Sequence, residues 1–337
     1  MLQVPKYTSE ARLRPCVRRP ANRPFAELLA GESVYLLKRI NVRSFVRLFP
    51  FALLALAPLQ APACTAFCAA VEGRVLVGNN EDLLDPSTRL WFIPPEKGAH
   101  GRLYVGYEFA WPQGGMNDHG LFWDGFGVPP TQIPALGKPP LAPHPGAIPN
   151  TPYPGAALDR ILADCATVEE VIRLFQKYQF PWTERAVLMV ADASGDAAIF
   201  DGNEILRKHG RYLVQTNFRQ TLAKPGEAPC GRFKIATAML DAAGERISVD
   251  LFRTILAATH QEGGSPTQYS NIYDLKRRVM HLYHFHNYSN VVVIDLAREL
   301  AKGQHSVAIA SLFPRTFAYE ESAAQNKDFL KRIFEGH

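Results

Sequence analysis

Cys64 is the residue from which chemistry can be argued first. It follows Ala61-Pro62-Ala63, a small-x-small triplet of the kind that precedes signal-peptidase cleavage. Cleavage after Ala63 would leave a first residue carrying both a thiol and a free α-amino group. A thiol of ordinary pKa, about 8.5, is only a few per cent thiolate at neutral pH and needs a base to act as a nucleophile. An α-amino group, at about 7.7–8, is partly neutral there, whereas a lysine near 10.4 is almost wholly protonated. The arrangement predicts a cysteine nucleophile that brings its own general base. Two other uses compete: a lipid-anchored cysteine and a buried structural thiol. A lipid-attachment signal wants Leu three residues earlier, where Ala61 stands, and Pro62 beside the cut does not favour it.

The residues ahead of Cys64 support export. Arg43 and Arg47 precede an apolar run, Leu48 to Ala57, and then the triplet, which is the order of a secretion signal. The run is shorter than the ~20 residues of an ordinary membrane span. A soluble, periplasmic or secreted protein starting at Cys64 is expected, without stable membrane insertion after processing. Residues 1–41 are basic and without a clear period; they are read as part of the leader or as an over-long start. The formal net charge of +5 divides into +7 on residues 1–63, from ten Lys/Arg against three Glu, and −2 on residues 64–337. The body therefore has no basic surplus for nucleic acid, and no partner of that class is expected. Four cysteines after residue 63 are too few for a disulfide scaffold, and Cys64-x-x-x-Cys68 lacks a second pair at zinc-finger spacing. No metal and no cofactor are expected.

The elements that must position Cys64 follow at once. Thr65–Val71 and Arg74–Val77 read as a hairpin about Glu72-Gly73. Short strands are predicted at Leu90–Ile93, Leu103–Phe109 and Leu121–Phe126, the last after a turn at Asn117-Asp118-His119-Gly120. Ten of the 26 positions from Pro129 to Pro154 are proline, which excludes helix and central strand and points to a long surface loop. Helical spacing of apolar residues marks 155–163 and 168–178, the second capped by Thr167 with Glu169 and Glu170 in its first turn. Strands are predicted at 186–191, 197–201 and 212–216, helices at 233–243 and 249–259, strands at 268–273, 279–284 and 291–294, and a closing amphipathic helix at 318–334. This order suits one layered domain with antiparallel sheets over residues 64–337.

Several patches, taken in order, resemble the choloylglycine hydrolase and penicillin V acylase family of N-terminal-nucleophile hydrolases. They are Cys64-Thr65-Ala66-Phe67, Gly78-Asn79-Asn80-Glu81-Asp82, Gly115-Met116-Asn117-Asp118-His119-Gly120-Leu121, Gln215-Thr216-Asn217-Phe218, Gly231-Arg232-Phe233 and Tyr269 to Asp274. The resemblance implies an α+β fold, a four-layer αββα sandwich, and hydrolysis of a linear non-peptide amide. With that frame, Asp82 would return beside Cys64 from the end of the hairpin and hold the α-amino group. Asn217 ends an apolar strand and would donate to the oxyanion. The family's second, backbone donor corresponds to Gly127. Arg232 heads a helix, where a cation opposes the macrodipole, and would hold the thiol pKa down. Asn79 stands where the family has arginine, so the hold on the polar part of the substrate is not carried over. Trp123 and Phe126 would line an acyl pocket. His281, His284 and His286 are read as a packed or edge strand, with His284 and His286 on one face.

The combined expectation is an exported cysteine amidase acting on a small N-acyl substrate: a penicillin V-like amide, an N-acyl homoserine lactone, a bile-acid conjugate or a fatty amide. An acyltransferase of the related penicillin-biosynthetic type and a lipid-anchored exported binding protein are the alternatives. Self-association of the chain is left open.

Overall fold

The computed structural model describes residues 64–71, 73–108, 112–142, 158–224 and 227–335. The expected leader, its cleavage site and the second part of the proline-rich loop, from residue 143 on, lie outside the described residues. So does the start of the helix expected at 155–163.

Two antiparallel sheets form the centre. The first has the order β10-β1-β2-β11-β12-β13, from β10 (Tyr212–Thr216), β1 (Thr65–Val71), β2 (Arg74–Asp82), β11 (Thr267–Asp274), β12 (Val279–His284) and β13 (Asn287–Asp295). The second has the order β14-β3-β4-β5-β6-β7-β8-β9. Its members are β14 (His305–Ala308), β3 (Thr88–Ile93), β4 (Arg102–Tyr107), β5 (Pro112–Asn117), β6 (Phe122–Gly127), β7 (Ala186–Ala191), β8 (Ala197–Asp201) and β9 (Glu204–Arg207).

Period-2 alternation sorts the side chains of β1 to two different layers. Ala66 and Cys68 face the second sheet and pack with Phe92, Leu103, Met116 and Ile199. Phe67 and Ala69 face outward, onto α3 (Gly231–Ala243) and α4 (Val249–Thr259), through Ala236, Leu240, Phe252 and Ile255. Each fully buried side chain of the Phe252 or Ile255 type contributes about 1.5–3 kcal/mol, which fixes α4 across β2. The outer face of the second sheet carries α1 (Asp159–Asp164) and α2 (Val168–Lys177). Ile161, Leu162, Val171 and Phe175 meet Trp91, Tyr104, Trp123 and Leu188 there. The layers therefore run helix, sheet, sheet, helix. The α+β sandwich expected from the sequence is the fold observed.

Two local features explain how the second sheet holds its helices. Asn117 accepts from the N–H groups of His119 and Leu121 and donates to the carbonyls of Leu162 and Cys165, so one side chain ties the β5–β6 turn to the end of α1. Gly120 closes that turn at φ +79°, and a Cβ there would lie 2.3 Å from the Leu275 carbonyl oxygen. Arg102 makes a two-pronged ion pair with Asp159, at 2.8 and 3.0 Å, with both side chains buried.

Several boundaries differ from the sequence expectation. β2 runs on from Val77 to Asp82 because it is a central strand, with Asn80 paired to Thr65 on one side and Ser270 on the other. β5 carries little β-propensity in Gln113-Gly114-Gly115 and was not anticipated. Its glycines serve close approach, since a Cβ on Gly115 would sit 2.1 Å from the Leu103 carbonyl oxygen. The short elements β9, β14 and α5 (Leu296–Leu300) were also unmarked. β4 ends at Tyr107, and β13 starts at Asn287, earlier than expected. His284 and His286 do not share a strand face: β12 ends at His284, and Phe285 and His286 turn through left-handed φ values of 43° and 62°. The final helix, α6 (Phe317–Glu335), lies where the spacing placed it. No described helix is long and apolar enough to cross a membrane.

Candidate active site

β1 and β2 place Cys64 by register. Thr65 pairs with Asn80, so the residue before Thr65 falls opposite Glu81. The Cys64 thiol donates to Glu81 Oε1 at 3.0 Å, and both residues are buried. The backbone N–H of Asp82 also reaches the sulfur. Burial pushes the thiol well above its ordinary pKa, and Glu81, Asp82 and Asp124 push it further; the Asp82 N–H draws it partly back.

Arg232, in the first turn of α3, reaches across the sheet edge to this corner. It donates to the Cys64 carbonyl at 2.7 Å, to Thr65 Oγ1 at 2.5 Å and to Asn217 Oδ1 at 3.3 Å. Its guanidinium lies 3.6 Å from Asp82 Oδ2. Arg232 is thus gathered to Cys64, as the sequence suggested. Its contacts fix the backbone of Cys64 and set a positive charge beside Asp82.

Asp82 is buried between β2 and β11. Thr267 donates its hydroxyl to Oδ1, and the Gln261 amide donates to Oδ2 at 3.0 Å. Burial raises its pKa to about 7, against the opposing pull of Thr267 and Arg232.

Asn217 follows β10 and is oriented by Arg232 at its oxygen, which leaves its NH₂ facing β6. There it donates to the Gly127 carbonyl at 3.0 Å. Asn217 and Gly127 are therefore brought together as the sequence suggested. One amide hydrogen of Asn217 is engaged in that bond, and the amide carries a second.

A cavity of about 400 Å³ opens beside Cys64. Its apolar lining includes Trp123, Phe126, Trp182 and Leu188, and Glu81, Asp82 and Gly127 also border it. Trp123 and Phe126 thus line the same cavity as Cys64. Four buried polar atoms on this lining have no hydrogen-bond partner: Glu81 Oε2, Tyr107 Oη, Trp123 Nε1 and Trp182 Nε1. A larger, more open groove of about 680 Å³ borders Asn217, Phe218 and Arg219 but not Cys64, so the smaller cavity is the one that Cys64 lines.

Asn79 does not line that cavity. It donates to Asp124 Oδ2 and also bonds Glu81, while Asp124 takes the Gly125 N–H at 2.8 Å. Burial raises Asp124 well above the carboxylate range, with Glu81 adding to it; burial likewise raises Glu81, to about 8. Asn79, considered from the sequence as a substrate-binding residue, is thus turned toward two buried acids. Glu81, Asp124, Tyr107 and Trp182 were missed from sequence. Glu81 had a usable signal: once β2 extends to Asp82, Glu81 alternates onto the same face as Asn79 and Val77.

Cys64, Cys68, Cys165 and Cys230 are all free thiols. Two sets of described residues bring ligand atoms close enough for a metal, His100/Asp118/His119 and His260/Glu262/His286, and neither contains Cys64.

No protein-family model and no curated protein sequence matches the chain. Solved structures do. Penicillin V acylase from Agrobacterium tumefaciens aligns at 20% identity and a TM-score of 0.50, over 70% of this chain and 87% of that one. A variant of conjugated bile acid hydrolase from Clostridium perfringens aligns at 17% identity and a TM-score of 0.54, over 73% and 96%. A second variant of that hydrolase gives 17% and 0.53, over 74% and 97%. At these identities the likeness is one of fold, and it falls where the motifs Cys64-Thr65-Ala66-Phe67 and Gly115 to Leu121 pointed: this chain has the αββα fold of penicillin V acylase and conjugated bile acid hydrolase.

Proposed function

We propose that the chain is an exported amidase that cleaves the linear amide of a small N-acylated molecule through an acyl-enzyme on Cys64. The observation that carries this reading is the placement of Cys64 at the base of the apolar cavity, with Asp82, Asn217 and Arg232 gathered about it. Removal of residues 1–63 would free the α-amino group, and Asp82, held by Thr267 and Gln261, is the carboxylate nearest to receive it. The sulfur attacks the acyl carbon, and the second Asn217 N–H together with the Gly127 N–H stabilise the oxyanion. Donors of this kind are worth about 10²–10³ in rate. The amine leaves, and water releases the acid.

The cavity also bears on the acyl group. Tyr107 Oη and the two indole N–H groups are buried donors without acceptors, and each such group costs about 1–3 kcal/mol until satisfied. An acyl chain with an aromatic or aliphatic body and an ether, keto or hydroxyl oxygen fits this lining better than a plain hydrocarbon. Phenoxyacyl and 3-oxoacyl amides are the first substrates to try.

The test is turnover of a panel by the wild type and by Cys64→Ala and Cys64→Ser: penicillin V, N-(3-oxoacyl) homoserine lactones, glycine-conjugated bile acids and simple fatty amides. Loss of all turnover in the alanine variant, with a trapped acyl adduct on Cys64 in the wild type, supports the reading. Wild-type turnover by the alanine variant refutes it. Sequencing the first residues of the exported protein tests the processing step, and a start other than Cys64 removes the proposed amine.

A further inference from the structure

Two imidazoles that catalysis by Cys64 does not use meet where the end of α4 faces the β12–β13 turn. His260 follows the last turn of α4 and His286 sits in the β12–β13 turn, with ring centroids 4.8 Å apart. Both are half-buried, and the exposed Glu262 completes the group. One ligand atom from each of the three lies within 4.8 Å of the others.

The hydrogen bonds leave lone pairs where these side chains face each other. His260 Nδ1 lies 2.6 Å from the Ala257 carbonyl oxygen, so that nitrogen carries the ring proton. In the neutral ring Nε2 is then a bare lone pair, 3.3 Å from Glu262 Oε1. Two acceptors at that distance repel unless a cation joins them. Anchoring a histidine through its other N–H to a backbone carbonyl is how metal sites orient an imidazole. His286 Nε2 is buried with no hydrogen-bond partner, a costly state for a polar atom. Burial, with His260 adding to it, pushes this ring down to about 4, so at pH 7 it is neutral, the form that ligates metal. Phe285 stacks on His286 at 4.6 Å, and Tyr288 meets His260 edge-on at 6.2 Å, which gives the pair an aromatic surround. Phe285 and His286 adopt the left-handed φ values already noted, a conformation such side chains rarely take, and the turn aims the His286 ring at α4.

We propose that His260, Glu262 and His286 form a zinc site that ties α4 to the β12–β13 turn and steadies the support of Asp82. Two imidazoles and a carboxylate suit zinc, with water as the fourth ligand, whereas calcium and magnesium take oxygen sets. Tetrahedral ligands with bonds of about 2.0–2.1 Å stand about 3.3–3.4 Å apart. His260 and Glu262 already have that separation. The wider pairs, at most 4.8 Å apart, close by up to about 1.5 Å. The Glu262 side chain is 76% exposed and free to follow the ion.

Gln261, between two of the ligands, makes the link to Asp82. Its side-chain amide donates to Asp82 Oδ2 at 3.0 Å, and its backbone N–H donates to Thr267 Oγ1 at 2.8 Å. Thr267 in turn donates to Asp82 Oδ1. An ion bound by residues 260 and 262 fixes this connector at both ends. The zinc site stands whatever reaction Cys64 performs.

The experiment titrates zinc chloride by calorimetry into the purified, metal-free protein as wild type, His286→Asn, Glu262→Gln and His119→Ala. Asparagine tolerates the left-handed backbone at 286, and residue 262 is exposed, so wild-type circular dichroism is expected of both. His119 belongs to the other close set, with His100 and Asp118, and reports binding there. One equivalent of zinc is expected in the wild type. Affinity should fall about 10²-fold in His286→Asn and at least about 10-fold in Glu262→Gln, and stay within about threefold in His119→Ala. Cobalt(II) in place of zinc should give visible tetrahedral bands without a thiolate charge-transfer band, which separates the site from Cys64 and Cys230. Zinc should also slow amide hydrogen exchange across residues 257–268 in the wild type but not in Glu262→Gln. Should His286→Asn not fold, Glu262→Gln decides by itself. A wild type that binds no zinc, full affinity in either ligand variant, a thiolate band, or loss of binding in His119→Ala overturns the site. Zinc bound there with unchanged exchange overturns the link to Asp82.

Discussion

Replacing Arg232 by methionine tests the charge balance beside Cys64. The side chain is about 15% exposed and makes two close hydrogen bonds, to the Cys64 carbonyl and to Thr65 Oγ1, besides its ion pair with Asp82. At pH 5.5 Asp82 is protonated, its pKa lying near 7 because it is buried. The loss is then that of the hydrogen bonds, roughly 2–4 kcal/mol for bonds from a charged donor. At pH 8.5 a second loss appears. A carboxyl of pKa about 7 gains about 2 kcal/mol from ionising at that pH, and without the guanidinium 3.6 Å away that gain shrinks or disappears. The sign follows from proton binding. The folded pKa lies above the ordinary value, so this group's stabilising effect is complete below about pH 4 and is lost as pH rises to 7. In the wild type the loss then levels off; in Arg232→Met, whose Asp82 pKa is higher still, it continues towards pH 9. Urea unfolding at pH 5.5 and 8.5 of the wild type, Arg232→Met, Asp82→Asn and the double variant measures this. An excess cost of about 2 kcal/mol at the higher pH, absent in the Asp82→Asn background, is expected. An Arg232→Met cost equal at both pH values, or a pH component that survives Asp82→Asn, refutes the reasoning.

Other outcomes follow from the same contacts. Asn217→Ala should lower kcat on an accepted amide by about 10²–10³-fold with a much smaller change in KM; a KM effect alone would place the side chain in ground-state binding instead. Asp159→Asn leaves the buried Arg102 charge without its carboxylate, and a loss of about 3–5 kcal/mol is expected in urea melts, reading out the anchor between α1 and β4. Thr167→Ala removes the capping box of α2, in which Thr167 Oγ1 accepts the Glu170 N–H and Glu170 accepts the Thr167 N–H; about 1 kcal/mol is the expected cost, and no change in melting would mean that packing alone holds that helix end.

How much of this was legible in the chain depends on the range of the forces involved. The first strand and turn of the hairpin about Gly73, the capped α2, the span Val249–Thr259 and the Asn117–Gly120 turn rest on local spacing, capping and turn chemistry, and the sequence determined them nearly to the residue. Cys64, Asp82, Asn217 and Arg232 were each suggested by a residue out of keeping with its element or by a motif. Their meeting was not, because 15 to 168 positions of chain separate Arg232 from its partners. The tertiary structure alone decided the rest. β5 exists because its glycines let Leu103 and Trp123 backbones come close, a contact that propensity does not see. Glu81 reads as a polar turn residue until β11 pairs beyond it and closes it from water. Asn79, Asp124 and Glu81 form one buried acid network only because β2 and β6 belong to facing sheets. Burial, which no single sequence position carries, then raises those carboxyls, and strand register sets the Cys64 thiol against one of them.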